Sequence, residues 1–109
     1  MYVSVTGLKP KGVLGWLRFL IMTARASRKG RKADGVLFCD FGSRDGYQNT
    51  FTVWETKKHM MAYRSSPAHL RAMKRMPQIG AGKVYGYETD FIPSWEDAYS
   101  EYDRHAREV

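Results

Sequence analysis

Hydrophobic and polar residues alternate along several short segments of this chain, a pattern typical of strands that bury one face. The predicted strands cover residues 2–6, 35–41, 47–54 and 83–91. The second of them is a nearly continuous apolar run, whereas the other three alternate. Asp45-Gly46 lies between the second and third strands, and this dipeptide predicts a tight turn that joins them in a hairpin.

A helical repeat of apolar residues follows the first strand and a predicted connecting loop at residues 7–12. The helix is expected to run from residue 13 to about residue 26, and Gly30 is typical of a helix stop. Its expected core-facing stripe consists of Val13, Leu17, Leu20 and Ala24. Basic residues gather at its C-terminal end, where they complement the helix dipole.

The second helical pattern is interrupted. It begins near Thr56, a residue suited to cap a helix N-terminus, and it breaks at Ser65-Ser66-Pro67. A serine cap followed by proline at the first helical position favours a restart after the break. Ser94 is predicted to cap a final helix, so residues 94–109 form a helical extension.

The order strand, helix, strand, strand, helix, strand predicts an α+β fold of the ferredoxin-like split βαβ type, with an extra C-terminal helix. Such a fold has a four-stranded antiparallel sheet with two helices on one face. The 109 residues suffice for one core, so residues 1–109 are expected to form a single domain. The second sheet face is expected to display Trp54 and several tyrosines. Because that face is too apolar to leave in water, either a partner subunit or a ligand should cover it, and a homodimer through the open sheet face is the simpler expectation.

Charge is unevenly distributed along the chain. The net charge is +7, but residues 94–109 contribute −3, which leaves +10 for residues 1–93. Residues 25–32 hold five basic side chains among eight. The favoured interpretation is solubility, with an acidic tail helix offsetting a basic body. The asymmetry also allows an anionic partner, whether nucleic acid, an acidic metabolite or a membrane surface. Nucleic-acid binding through residues 25–32 is the less favoured alternative, because the run has no aromatic side chain on which a base could stack.

Cysteine and histidine content limits the chemistry and the compartment. The single Cys39 has no internal disulfide partner, is expected to pack as a small buried hydrophobic residue, and fits a reducing environment. Residues 13–22 form an apolar run of about half the length that a transmembrane helix needs, and nothing resembles a secretory signal. A cytoplasmic protein is therefore expected. No set of cysteine and histidine has metal-ligand spacing, and no phosphate loop or serine-hydrolase motif is present.

Residues 50–73 contain a more specific pattern. Val53-Trp54-Glu55-Thr56, followed by Tyr63 and then Ser66-Pro67-Ala68-His69, resembles the dimeric α/β-barrel superfamily. More narrowly, it resembles the antibiotic-biosynthesis-monooxygenase-like and spheroidene-monooxygenase-like proteins, and the element order matches over residues 1–92. The resemblance implies subunits that pair through their sheets, with a pocket between each sheet and its helices. Members of the group oxidise aromatic or polyketide substrates without a cofactor, bind or degrade haem, or have no known activity.

Two residues of this pattern are candidates for catalysis, whereas the other histidines, His59 and His105, are expected to be solvated. A neutral imidazole at His69 could take a proton from an acidic phenol or enol, as cofactor-independent oxygenation requires. Tyr63 could donate a phenol hydrogen bond to a carbonyl. Both residues also have structural explanations, since His69 could serve packing or capping and Tyr63 could fill the space between helix and sheet.

Five further residues are candidates for substrate binding. Trp54 could form a flat wall for an aromatic ligand, or act as a core or dimer-interface residue. Arg64 and Arg71 could balance an anionic intermediate, and Asn49 could hydrogen-bond a ligand or serve a turn. Met73 occupies the place at which the haem-degrading relatives carry a histidine, and this difference argues against haem degradation.

The sequence therefore supports two functions of different classes. The first is a protein that binds an apolar or aromatic small molecule and acts as a monooxygenase, either without a cofactor or with haem. The second is a non-catalytic ligand-binding or assembly protein built on the same barrel. The residues by themselves do not separate the two.

Overall fold

The computed structural model describes residues 1–67, 69–71, 74 and 80–108, with side chains at all of these except 22, 23, 26, 27, 30 and 81. The strands are β1 Tyr2–Pro10, β2 Val36–Arg44, β3 Tyr47–Trp54, β4 Gly80–Glu88 and β5 Arg107–Glu108. The helices are α1 Gly12–Gly30, α2 Lys57–Arg64 and α3 Trp95–His105. Residues 67, 69–71 and 74 are also helical. In this part of the chain, no helix is both long enough and apolar enough to span a membrane.

The strands form one antiparallel sheet in the order β2-β3-β1-β4-β5. This arrangement confirms the predicted ferredoxin-like α+β fold with a C-terminal helix. The expected strand count of four is too low. The fifth strand, β5, consists of two residues that follow α3, and it pairs with the edge of β4. Two residues are too few to produce an alternating pattern, so the sequence contains no signal for β5.

The predicted loop at residues 7–12 was wrong, because β1 continues to Pro10 and pairs there with Gly80. Gly7 is a packing position in this longer strand. A Cβ at Gly7 would lie 2.9 Å from the Asn49 Nδ2 and would collide with the Tyr102 hydroxyl. The glycine therefore allows α3 to approach the sheet closely, which a loop interpretation overlooks.

The predicted hairpin at residues 42–46 is confirmed. Asp45 and Gly46 form a two-residue turn with φ values of 55° and 80°, both in the left-handed region. Two positive φ values in succession match the twist of the flanking strands. The caps are confirmed as well: Oγ of Ser94 accepts from the Asp97 N–H at 3.1 Å, and Oγ1 of Thr56 accepts from the His59 N–H at 3.3 Å.

The fully buried core lies on one face of the sheet and is covered by α3. Val3, Val5, Phe51 and Val53 have no exposed surface, and they pack against Ala98 and Tyr102 of α3. α3 covers the centre of this sheet face, while Phe38, Tyr85 and Tyr87 on the same face are only partly buried. The homodimer through the open sheet face stays a prediction, with α3 occupying part of that face.

Trp54 lies on the opposite face, because it is one residue beyond Val53 and successive side chains alternate. The Tyr63 ring of α2 covers it, with the two ring centroids 5.3 Å apart. The expectation that Trp54 is displayed on an uncovered face was thus wrong. Its exposed fraction is 1%, so it is a buried residue beneath α2.

The predicted core stripe of α1 was also wrong. Val13, Leu17 and Leu20 are 79%, 53% and 56% exposed. The buried side of α1 contains Gly15, with Phe19 half-buried one turn later. Apolar residues extend around most of the first half of α1, so their spacing alone does not determine which side faces the sheet.

Candidate functional site

Trp54, Tyr63 and His69 form a continuous aromatic stack between β3 and the helical region that follows it. The Trp54 and Tyr63 centroids are 5.3 Å apart, and those of Tyr63 and His69 are 5.5 Å apart with an edge-to-face geometry. Such spacings indicate direct ring contact. The structure thus brings together three residues that the sequence predicted for one site.

Local sequence determines how each ring reaches this position. Trp54 is the last residue of β3, and the Thr56 cap turns the chain directly into α2. The Ser66 hydroxyl then accepts from the backbone N–H of His69 at 3.4 Å, which confirms the predicted restart of the helix. The break between Tyr63 and Ser66 directs the chain so that the imidazole lies against the phenol ring.

A hydrogen bond within the sheet orients the indole of Trp54. Its Nε1–H donates to the Thr52 Oγ1 at 3.0 Å, and Thr52 donates in turn to the Ser4 carbonyl at 3.4 Å. The indole N–H is therefore occupied by the protein itself. Trp54 can offer a ligand a flat apolar surface, and it has no free donor for one.

His69 is the half-buried imidazole of the stack. Burial lowers the pKa of its imidazole, the Arg64 charge lowers the pKa further, and a backbone hydrogen bond at Arg64 partly opposes both effects. Its Nδ1 is buried and has no hydrogen-bond partner among the described residues. A neutral imidazole with an unpaired ring nitrogen is a base able to accept a proton at neutral pH.

Tyr63 remains a phenol under the same conditions. Burial raises the pKa of its hydroxyl, and the nearby Cys39 thiol adds to the effect. Burial likewise raises the pKa of the Cys39 thiol, which keeps it protonated and unreactive. Tyr63 can therefore donate a hydrogen bond, and Cys39 acts as the half-buried apolar residue that the sequence predicted.

An open cavity of about 520 Å³ lies on the outer side of Tyr63, between the end of α1 and α2. Its polar lining comes from Lys29, Asp34, His59, Tyr63, Ser66 and Arg71. Trp54 and His69 do not line it. Tyr63 is consequently the only member of the stack that contacts the cavity, and its ring separates the cavity from the other two.

The remaining predicted residues lie in different places. Arg64 and Arg71 are exposed, with Arg71 in the cavity wall and Arg64 close enough to influence His69. Asn49 lies on the α3 side of the sheet, where it is 3% exposed. Met73 lies outside the described residues.

Asn49 has structural partners that sequence reasoning missed. Its Nδ2 donates to the Thr6 carbonyl at 3.2 Å, and its Oδ1 accepts from the Tyr99 hydroxyl at 2.9 Å. The amide therefore attaches α3 to the sheet, and it is remote from Trp54. The two residues are separated because they are five positions apart in β3, an odd number, so their side chains face opposite sides of the sheet.

His59 is a site residue that the sequence analysis assigned to solvent. Its Nδ1 lies 2.7 Å from the Thr56 Oγ1, and its Nε2 lies 4.0 Å from Asp34 and 3.9 Å from Glu55. Gly35 has a φ of 80°, and a Cβ there would overlap the imidazole. Two features of the sequence could have indicated this position of His59. They are Thr56, which caps the helix three residues before His59, and the adjacent Asp34 and Gly35.

The ring stack does not fit a haem. Trp54 and Tyr63 are in direct contact at 5.3 Å, so no slot for a macrocycle exists between β3 and α2 at this point. No cluster of three histidine, cysteine or acidic side chains suited to a metal occurs among the described residues. The site as described offers an imidazole base, a phenol donor and an apolar wall.

Comparison with solved structures places this geometry in a known fold. A proposed antibiotic biosynthesis monooxygenase from Deinococcus radiodurans superposes with a TM-score of 0.72 at 16% identity, covering 86% of this chain and 97% of its own. SnoaB from Streptomyces nogalater, described as a cofactor-independent oxygenase, superposes with a TM-score of 0.68 at 12% identity, covering 85% and 97%. The chain has the ferredoxin-like fold of the antibiotic biosynthesis monooxygenases.

A third neighbour bears on assembly. A dimeric ferredoxin-like protein of unknown function from Jannaschia superposes with a TM-score of 0.68 at 22% identity, covering 81% of this chain and 98% of that one. No family model and no curated protein matches the sequence. At these identities the likeness establishes the fold, and the chemistry has to be argued from the residues of the site.

Proposed function

We propose that this protein binds an apolar or aromatic small molecule beside Tyr63 and acts as a cofactor-independent monooxygenase. The observation that carries the proposal is the buried Nδ1 of His69, which has no hydrogen-bond partner among the described residues and belongs to a ring that contacts Tyr63. A buried ring nitrogen without a partner costs stability, and such groups occur where function requires them. SnoaB, which has the same fold, is described as a cofactor-independent oxygenase, and this supports the reaction class.

The proposed reaction begins with proton transfer. His69 accepts the proton of an acidic phenol or enol, and the resulting anion donates its electrons to molecular oxygen. One oxygen atom remains in the product as a carbonyl, and the other leaves as water together with the two hydrogens of the oxidised carbon. Substrate supplies both electron pairs, so the balance requires no further reductant.

Other residues of the site would support this step. The Tyr63 phenol stays protonated and can donate to a substrate carbonyl, while Trp54 offers a flat apolar wall. Arg64 and Arg71 can offset the charge of the substrate anion from the solvent side. Because Tyr63 separates the cavity from Trp54 and His69, the proposal requires its ring to turn when the ligand enters.

Oxygen uptake with an anthrone such as dithranol tests the proposal. The wild-type protein is expected to accelerate uptake, and His69→Asn is expected to lower the rate by about 100-fold, the effect of losing one general base. His105→Asn is the matched control, because His105 lies on α3 with a half-exposed side chain. Equal rates for the two variants would remove His69 from the mechanism.

The second candidate is a ligand-binding or assembly protein without catalysis. Its supporting observation is that Trp54 is only 1% exposed and in direct contact with Tyr63. Quenching of tryptophan fluorescence by the anthrone, with no oxygen uptake by the wild type, would favour this function.

Haem is expected to produce no shift of its Soret band on addition of the protein, because the stack leaves no slot for it.

We further propose a homodimer in a reducing cytoplasmic compartment. The dimeric neighbour from Jannaschia supports the pairing, and the unpaired Cys39 supports the compartment. Because α3 covers the centre of the core face of the sheet, the partner would pack against the α3 side of the chain. Light scattering that returns the monomer mass of 12.6 kDa would contradict the dimer.

A further inference from the structure

Helix α1 presents an apolar surface to solvent along its first three turns. We define the outer face of α1 as Val13, Leu14, Leu17, Leu20 and Ile21, which are 79%, 61%, 53%, 56% and 59% exposed. Their spacing places them on one side of the helix. Gly15 lies about 200° around the helix axis from Val13, and Phe19 lies about 200° from Leu17. These two residues form the buried side of α1.

α1 and the two residues that follow it carry the highest positive charge density of the chain. Residues 12–32 contain six basic side chains and no acidic one, against a net charge of +7 for the whole protein. Arg25 and Arg28 follow Ile21 at spacings of four and seven residues, so they continue the outer face beyond its apolar part. Both are exposed, as are Lys29, Arg31 and Lys32.

We propose that α1 binds the surface of anionic phospholipid membranes. The outer face enters the boundary between headgroups and acyl chains, and the basic residues that follow it contact lipid phosphates. An apolar helix side followed by arginines and lysines, with Trp16 42% exposed beside it, is the composition of helices that lie in this boundary.

Charge complementarity favours a membrane over a second copy of the chain. A symmetric contact between two outer faces would bring two segments of six positive charges together, with no carboxylate from residues 12–32 to compensate. A bilayer with anionic lipid offers an apolar layer and a negative surface side by side. A nucleic acid would supply the charge and leave the exposed leucines in water.

The proposal is tested with the full-length protein and sedimented vesicles. Phosphatidylcholine vesicles are compared with vesicles in which about one-third of the lipid is phosphatidylglycerol, at low and high salt. Binding is expected only to the anionic vesicles and is expected to weaken as salt rises. It should also shift the tryptophan emission to shorter wavelength. Trp16→Phe should abolish that shift, since Trp54 is already buried and Trp95 packs on α3 against Phe51.

Matched substitutions separate the apolar from the electrostatic contribution. Ile21→Gln is expected to weaken binding about tenfold or more, and Ile92→Gln, at an isoleucine outside α1 that is 46% exposed, is expected to leave it unchanged. Arg28→Gln with Lys29→Gln is expected to weaken it about 30-fold. Arg104→Gln on α3 is the control for charge.

Three results would overturn the proposal. The first is equal binding of anionic and neutral vesicles, or binding to neither. The second is loss of binding in the Arg28 and Lys29 variant with none in Ile21→Gln, which would indicate a charge contact without insertion. The third is a change of molar mass on Ile21→Gln in lipid-free solution, which would assign the outer face to a second copy. Vesicle binding requires no substrate, so its failure leaves the proposed oxygenase chemistry untouched.

Discussion

Replacing Leu20 with glutamine is expected to lower the free energy of unfolding by about 1.3 kcal/mol at most. Full burial of a leucine contributes about 1.5 to 3 kcal/mol, and Leu20 is already 56% exposed in the folded protein. Leucine and glutamine have similar helix propensities, so the substitution reports mainly on burial. A leucine packed against the sheet would instead cost about 2 to 5 kcal/mol when its core contacts are lost.

Val5→Ala provides the calibration for this experiment. Val5 has no exposed surface, and the substitution removes two methyl groups, each equivalent to about 0.8 kcal/mol of transfer free energy. Together with the cavity left behind, the expected loss is about 2 to 3 kcal/mol. In a domain of this size, that loss corresponds to a fall in Tm of roughly 10 °C or more.

Urea denaturation followed by far-UV circular dichroism measures both variants on one scale. The midpoint should shift strongly for Val5→Ala and little for Leu20→Gln, with unchanged slopes for both. A loss at Leu20 equal to that at Val5 would refute the outward orientation of the α1 leucines. It would also remove the apolar surface on which membrane binding depends.

Three further substitutions test other parts of the structure. Tyr99→Phe should cost about 1 to 2 kcal/mol, measured by denaturation, because it leaves the buried Oδ1 of Asn49 without its donor. Gly46→Ala should cost about 1 to 2 kcal/mol because its φ of 80° is unfavourable for a residue with a Cβ. The wild type should lose stability as the pH falls below the ordinary histidine pKa of 6.5, since burial lowers the pKa of His69 and the unfolded chain binds the proton first. The loss of stability with falling pH should be smaller in His69→Asn than in the wild type, and it should be unchanged in His105→Asn.

Each of these has a clear contrary outcome. Full stability of Tyr99→Phe would mean that Asn49 finds another donor. A neutral Gly46→Ala would contradict the left-handed turn at the β2–β3 hairpin. An identical pH dependence in wild type and His69→Asn, from melting curves at several pH values, would show that His69 is not held neutral by burial.

Local signals account for most of the correct predictions. The alternation of residues 47–54 identified β3 and its buried pair Phe51 and Val53, because side chains of a strand face opposite sides in turn. Thr56, Ser66 and Ser94 identified three helix starts, because each cap needs only a partner three residues away. The stack of Trp54, Tyr63 and His69 also arises from one continuous segment of the chain.

Contacts between distant segments account for the errors. Asn49 bonds to Tyr99, fifty residues away, and this pairing depends on α3 lying over the sheet. Gly7 appeared to belong to a loop because its close neighbour Tyr102 comes from the other end of the chain. His59 appeared solvated because Asp34 and Gly35 approach it only after β2 and α2 are in place.

The sequence by itself determined the order of the elements as far as α3, the caps and the hairpin. These depend on periodicity and on hydrogen bonds within a few residues, which a linear pattern records. Only the tertiary structure decided that α3 covers the centre of the core face of the sheet, that Asn49 faces away from Trp54, and that the leucines of α1 face solvent. Those outcomes depend on which surfaces come into contact, and an apolar stripe predicts that a helix side can be buried without specifying what buries it.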